Sequence, residues 1–229
     1  ERIWPGFPAP TLAGLFRRMS ILFHIGRYFM LMAEVFSKPE RLRIYWRRTL
    51  EEMDLLGVKS LGIVALLSFF MGAVITIQTK TNIDSPLIPQ YVVGFTVRQS
   101  TILEFSPTII SLILAGKVGS TIAAEIGSMR VREQIDALDI MGVNSAGYLI
   151  LPKIIATALI NPFLIIISMF LSIFGGWLAG MLTGIISTAN YIQGVQDDFD
   201  PYIVTYALIK TVVFAVVIAT ISAYQGYYT

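Results

Sequence analysis

The chain of 229 residues is 55% hydrophobic and only 14% charged, with a mean hydropathy of +0.71. A water-soluble domain of this length carries about a quarter charged residues, so this composition excludes one and predicts an all-α, polytopic membrane protein. A net charge of +2 argues against a nucleic-acid binder, the absence of Cys excludes disulfides and thiolate metal centres, and the single His24 cannot build a histidine metal site.

Residues 1–10, ERIWPGFPAP, hold three prolines and read as an irregular lead-in. No cleavable signal peptide is visible and the first residue is Glu1 rather than Met, so the natural start is expected further upstream. Over 11–36, Leu12, Leu15, Phe16, Met19, Leu22, Phe23, Phe29 and Met30 recur at helical spacing. Arg17, Arg18, Arg27 and Glu34 interrupt them, which suits an amphipathic helix lying in the membrane interface rather than a span. The basic segment 37–54 follows, with Tyr45 and Trp46 at headgroup level. This predicts an interfacial region over 1–57 ahead of a membrane domain over 58–229.

The first span is expected at 58–79, followed by a loop at 80–90. The second, at 101–124, unusually contains Glu104, Pro107 and Lys117. A charged segment over 125–153 separates it from an uncharged run at 154–187. That run exceeds one bilayer crossing, so it is either one tilted span projecting from the membrane or a span with an interfacial turn near Pro162. An acidic loop is expected at 190–201 and a fourth span at 202–224. Lys and Arg crowd the segment before the first span and recur as Arg130, Arg132 and Lys153, whereas 190–201 has none. The positive-inside rule therefore puts the N-terminus and the 125–153 segment in the cytoplasm.

AAEIGSMRVREQIDALDIMG, residues 123–142, reads as the surface helix of a soluble protein placed between two spans. A helix over 129–141 would set Val131, Ile135 and Leu138 on one face and pair Arg132 with Asp136 one turn on, with Gly142 as its stop. Lying flat on the bilayer is one reading. Its acidic residues suit an anionic leaflet poorly, so docking to a cytoplasmic partner fits better.

Glu104 and Lys210 are the charges set deepest in spans, and an ionisable residue there is costly and paired or functional. Opposite signs at similar depth predict a contact, either a structural ion pair or a pair facing a lipid headgroup. Pro107 would free backbone groups beside it, Gln78 would face a polar cavity or the interface, and Lys117 would snorkel to the inner surface. Gly176, Gly180 and Gly184 form a GxxxGxxxG stripe for close helix packing, within the chain or across a homodimer seam. There is no GxxxxGK[ST], HExxH or GxSxG, so the chain is not expected to hydrolyse ATP or act as an enzyme. An ion- or proton-coupled secondary transporter using Glu104 and Lys210 as a relay is the alternative; it would need no docking helix.

EFSP (104–107), LAGKVGSTIAAEIGSMRVREQIDALDIMG (114–142), LPKIIA (151–156) and LIKTVVFA (208–215) resemble the permease subunit of Mla-type (maintenance of lipid asymmetry) phospholipid ABC transporters, over roughly 37–229. Two positions depart from the pattern: Leu103 and Lys117 stand where the family usually has Arg. The resemblance implies that Glu125, Arg130, Val131, Arg132, Glu133, Gln134, Asp136, Leu138 and Met141 couple to a cytoplasmic ATPase, which alone would bind ATP and Mg. It also implies a homodimer enclosing a lipid cavity near Glu104, Lys210, Ile75, Gln78 and Phe105, a periplasmic partner of the mammalian-cell-entry (MCE) family, a bacterial inner-membrane location and a further span beyond Thr229.

Overall fold

The computed structural model describes the backbone of residues 9–37, 42–83 and 88–228, with side chains described for 22–36, 45–83 and 88–228. Most of the lead-in, the side chains of the N-terminal half of the first apolar stripe and part of the 80–90 loop lie outside the described residues. Among the described residues there is no β-strand, and four helical runs, 45–82, 91–131, 145–183 and 201–227, are long and apolar enough to cross a bilayer.

Helix α1 (Ala9–Ser37) buries Leu31 and Val35 against the start of α7 and leaves Phe23, Phe29 and Met30 exposed. His24 bonds through Nδ1 to the Tyr224 hydroxyl at 2.9 Å, and Tyr28 donates to Thr220 Oγ1 at 2.9 Å. Helix α2 (Leu42–Leu56) turns through a short 3-10 corner at Val58–Ser60 into α3 (Leu61–Asn82), the first span. Lys117 donates to the Lys59 carbonyl in that corner, so its ammonium is fixed by backbone rather than free in the interface.

The second span is longer than expected. It starts as α4 (Tyr91–Ser100), loosens into a π-helical stretch at Thr101–Ile110 and continues as α5 (Ser111–Val131). Helix α6 (Gln134–Ile140) follows, then α7 (Ser145–Thr183), a single continuous helix of 39 residues that carries Pro152 and Pro162 internally. At 1.5 Å per residue it measures about 58 Å, nearly twice a bilayer's hydrocarbon thickness, and no turn interrupts it at Pro162. The expected acidic loop is mostly helix: α8 (Thr188–Gln196) precedes α9 (Pro201–Tyr227).

Side-chain caps set these boundaries. Asn144 Oδ1 accepts the Gly147 amide at 3.1 Å, Ser187 Oγ that of Asn190 at 3.3 Å, and Asp200 Oδ1 that of Tyr202 at 2.9 Å. Each satisfies an amide that the helix cannot, a contribution of about 1 kcal/mol.

Inside a bilayer the spans cannot be held by the hydrophobic effect, so close packing of small residues and buried hydroxyls holds them. A methyl group at Gly72 would overlap the Ser172 carbonyl of α7, and one at Gly175 the Phe69 carbonyl of α3. Beside this seam Ser68 donates to Ser168 Oγ at 2.8 Å and Ser168 to Ser106 Oγ at 3.1 Å, linking α3, α7 and the π-helical stretch. On the other side of the bundle, Gly226 of α9 packs on Ala123 of α5, where a Cβ would lie 2.7 Å from the carbonyl oxygen.

Candidate functional site

Pro107 has no N–H for the carbonyl one turn behind it, and the π-helical winding around it leaves that part of the span without regular α-helical bonding. Lys210 of α9 meets this gap. Its Nζ donates to the Leu103 carbonyl at 3.2 Å and to Glu104 Oε2 at 3.0 Å, and Thr108 Oγ1 adds a longer bond to the same carboxylate oxygen at 3.4 Å. The pair is lopsided: the Lys210 side chain is 19% exposed and that of Glu104 66%. Lys210 thus spends its charge inward, and the carboxylate is what faces open space.

The structure does not gather the rest of the expected outer site around this pair. Ile75 is buried in a separate apolar cluster with Val93, Val97, Ile186 and Tyr191, and Phe105 packs against that cluster, one helical step round from Glu104. Gln78 is exposed near the end of α3. The Tyr191 hydroxyl closes the cluster by donating to the Ile173 carbonyl at 3.0 Å, and burial pushes its pKa up to about 12.

Arg98 lies three residues before the expected second span, in α4. It is buried, with Nη1 donating to the carbonyls of Val195 at 2.9 Å and Asp197 at 2.6 Å, and Nη2 to that of Asp198 at 3.1 Å. The guanidinium thereby satisfies the end of α8, where orphan carbonyls favour a cation. A lone Arg in the otherwise uncharged 91–103 stretch was the available signal.

At the other end, the expected helix over 129–141 is two elements. α5 ends at Val131, and Glu133 adopts a left-handed conformation (φ 60°) that redirects the chain into α6. The break undoes the predicted stripe: Ile135 is fully buried and Leu138 half-buried, whereas Val131 is exposed. It also replaces the expected Arg132–Asp136 pair with Arg130 Nη1 to Asp136 Oδ1 at 2.7 Å. Gly142 does end α6: at φ 77° its amide reaches the Asp139 carbonyl at 3.0 Å and the Val143 amide the Leu138 carbonyl at 3.1 Å, the paired bonds of a Schellman stop. Ile135 anchors α6 to the bundle, and Arg132, Glu133 and Gln134 with Ile140 (87% exposed) and Met141 form its outward surface. Glu125 is not part of that surface; its Oε2 accepts from Lys153 Nζ at 2.8 Å.

The glycine stripe of α7 packs within the chain. A Cβ at Gly176 would overlap Thr76 Oγ1 of α3, and one at Gly180 would stand 2.6 Å from Ile186 Cγ2. Gly184 is not a packing residue: it sits at φ 68° and ends the helix. Small residues left unpacked lie elsewhere, on α5, where Gly116, Ser120 and Ala124 are exposed one turn apart and a Cβ at Gly116 would meet nothing within 4 Å.

Four helices long and apolar enough to cross a bilayer, with an anchored short helix between the second and third, mark a polytopic membrane protein. Residues 49–229 match the family described as Permease MlaE. Over 205 residues the chain is 33% identical to a probable ABC transporter permease protein of Rickettsia bellii, covering 90% of this chain and 79% of that protein. It is 30% identical to the intermembrane phospholipid transport system permease protein MlaE of Haemophilus influenzae, over 87% of this chain and 76% of that one. It is also 31% identical to the Arabidopsis thaliana protein TRIGALACTOSYLDIACYLGLYCEROL 1, chloroplastic, over 98% of this chain and 58% of that one. The chain belongs to the MlaE permease family and is the membrane subunit of an ABC transporter.

Proposed function

We propose that this subunit moves phospholipid across or out of a bacterial inner membrane, driven by a separate ATPase that binds ATP and Mg and docks on α6. The reading is supported by the phospholipid transport named for the Haemophilus relative and by the form of α6 itself. The observation that carries it is the apolar tip: Ile140 and Met141 stand exposed at the end of a helix whose root, Ile135, is fully buried. A helix lying passively on a bilayer needs no such anchored root; a helix that receives a push does.

In this reading two copies of the chain meet along α5, where Gly116, Ser120 and Ala124 allow close approach. The open Glu104 carboxylate with Lys210 behind it then faces the lipid path between the copies. An MCE-family protein takes the lipid onward, and the N-terminus with α6 is cytoplasmic. Ile140→Asp tests the docking. The variant permease is expected to fold and lose its co-purifying ATPase; an intact complex with normal ATP hydrolysis refutes the assignment.

A further inference from the structure

Lys153 lies two turns into α7, where a lysine ordinarily extends along the helix to reach water. Instead its side chain is 2% exposed and turned into the bundle, with Nζ 2.5 Å from Glu52 Oε1 and 2.8 Å from Glu125 Oε2. Glu52 belongs to α2 and shares its buried face with Tyr45, Thr49 and Leu56. Glu125 belongs to the last turns of α5, just before the chain breaks into α6. One ammonium therefore joins the helix leading into the first span, the end of the second span and the start of the third.

The site is not a closed salt bridge. Two carboxylates share one ammonium, and Glu52 Oε2 is buried without a partner. A cavity of about 170 Å³ opens beside them, lined among others by Arg48, Glu125 and Lys153. A buried charge stranded by the loss of its only partner is strongly unfavourable. Here Lys153 can give up either carboxylate and remain neutralised by the other, so the elements can shift without leaving a bare ammonium. The two partners also differ: Glu125 is 39% exposed and can rehydrate when released, whereas Glu52 is 16% exposed and cannot do so readily. The contact on the α5 side is thus the one that opens and re-forms, so α2 follows the end of α5 only while that contact is closed.

We propose that Lys153 is a positioning residue that relays displacement of α6 and the end of α5 to α2 and, through the corner at Val58–Ser60, to the first span. This inference rests on the reading of α6 as the ATPase contact. Lys117, bonded to the Lys59 carbonyl, provides a second tie from α5 to the same corner.

The test uses the full complex in vesicles, with fluorescently labelled phosphatidylglycerol as the probe. Glu52→Gln keeps the Lys153–Glu125 pair and weakens the tie to α2 from an ion pair to a neutral-acceptor hydrogen bond. The expected result is a complex of unchanged Tm that keeps its ATPase and its ATP hydrolysis, while lipid moved per ATP falls about fivefold, the scale of a coupling loss of about 1 kcal/mol. Because the chain has no Cys, spin labels at Glu51→Cys and Asp139→Cys, both exposed positions, report the α2–α6 distance. That distance should change with ATP in the otherwise unaltered chain and not in the Glu52→Gln background. Lys153→Arg, which can hold both carboxylates, should retain coupling. Unchanged transfer per ATP in Glu52→Gln, or transfer, hydrolysis and Tm falling together, overturns the relay. If Ile140→Asp releases the ATPase while Glu52→Gln transfers normally, the relay alone fails; if Ile140→Asp keeps the ATPase, the docking reading fails.

Discussion

Lys210→Ala is the most informative single change at the Glu104–Lys210 pair, because the geometry sets the size of its effect. Were Glu104 and Lys210 both buried, removing one would strand the other at a cost of roughly 3–5 kcal/mol, and removing both would recover most of it. The observed geometry separates two losses. Glu104 is 66% exposed, so its carboxylate rehydrates when Lys210 is gone, and the ion pair itself contributes at most about 1 kcal/mol. The Leu103 carbonyl, one turn behind Pro107, loses the charged donor 3.2 Å away, and a hydrogen bond from a charged group contributes about 1.5–3 kcal/mol. Lys210→Ala should therefore destabilise by roughly 2–3 kcal/mol, and adding Glu104→Ala should restore no more than about 1 kcal/mol. Reversible unfolding of the purified permease in mixed detergent micelles, over the full double-mutant cycle, measures both terms. A double variant that recovers about 3 kcal/mol would show a buried pair and refute this accounting.

Gly72→Ala should destabilise by about 1–3 kcal/mol because its methyl would overlap the Ser172 carbonyl, whereas Gly116→Ala, in open space, should leave the isolated subunit at least as stable in the same unfolding assay. Arg98→Met strands the carbonyls of Val195, Asp197 and Asp198, so limited proteolysis should cut within 188–200 at least tenfold faster, about 1.4 kcal/mol of local opening; an unchanged rate would mean α8 holds without it. Glu133→Gly relieves a left-handed residue and should raise stability by about 0.5–1 kcal/mol, and a fall would mean that the Glu133 side chain holds the break.

The span count, the N-terminal helix and the Gly142 stop were legible because each follows from a local pattern: an apolar run, a helical repeat of apolar residues, a glycine where a helix must end. The Glu104–Lys210 contact was legible from two opposite charges at one depth, but its exposure was not, since depth along a span does not tell which way the span is turned. The break at Glu133 has no sequence signal, because a glutamate in a left-handed conformation is indistinguishable from one in a helix, and with it went the Val131–Ile135–Leu138 stripe. Lys153 was counted only as a positive charge for topology. Its role depends on Glu52, 101 residues away, and on Glu125, and such a meeting exists only in the fold. Likewise the α7 glycines suggested close packing but not against what; α3, carrying Gly72 and Thr76, supplies the answer.

The central claim is that ATP hydrolysis by a partner, not an ion gradient, drives lipid movement through this subunit. Lipid transfer between vesicles by the reconstituted complex, measured with and without ATP at zero proton gradient and again with a gradient but no ATP, tests it directly. Transfer that requires ATP and ignores the gradient is the predicted result. Transfer driven by the gradient in the absence of ATP would make Glu104 and Lys210 a proton relay and contradict the account.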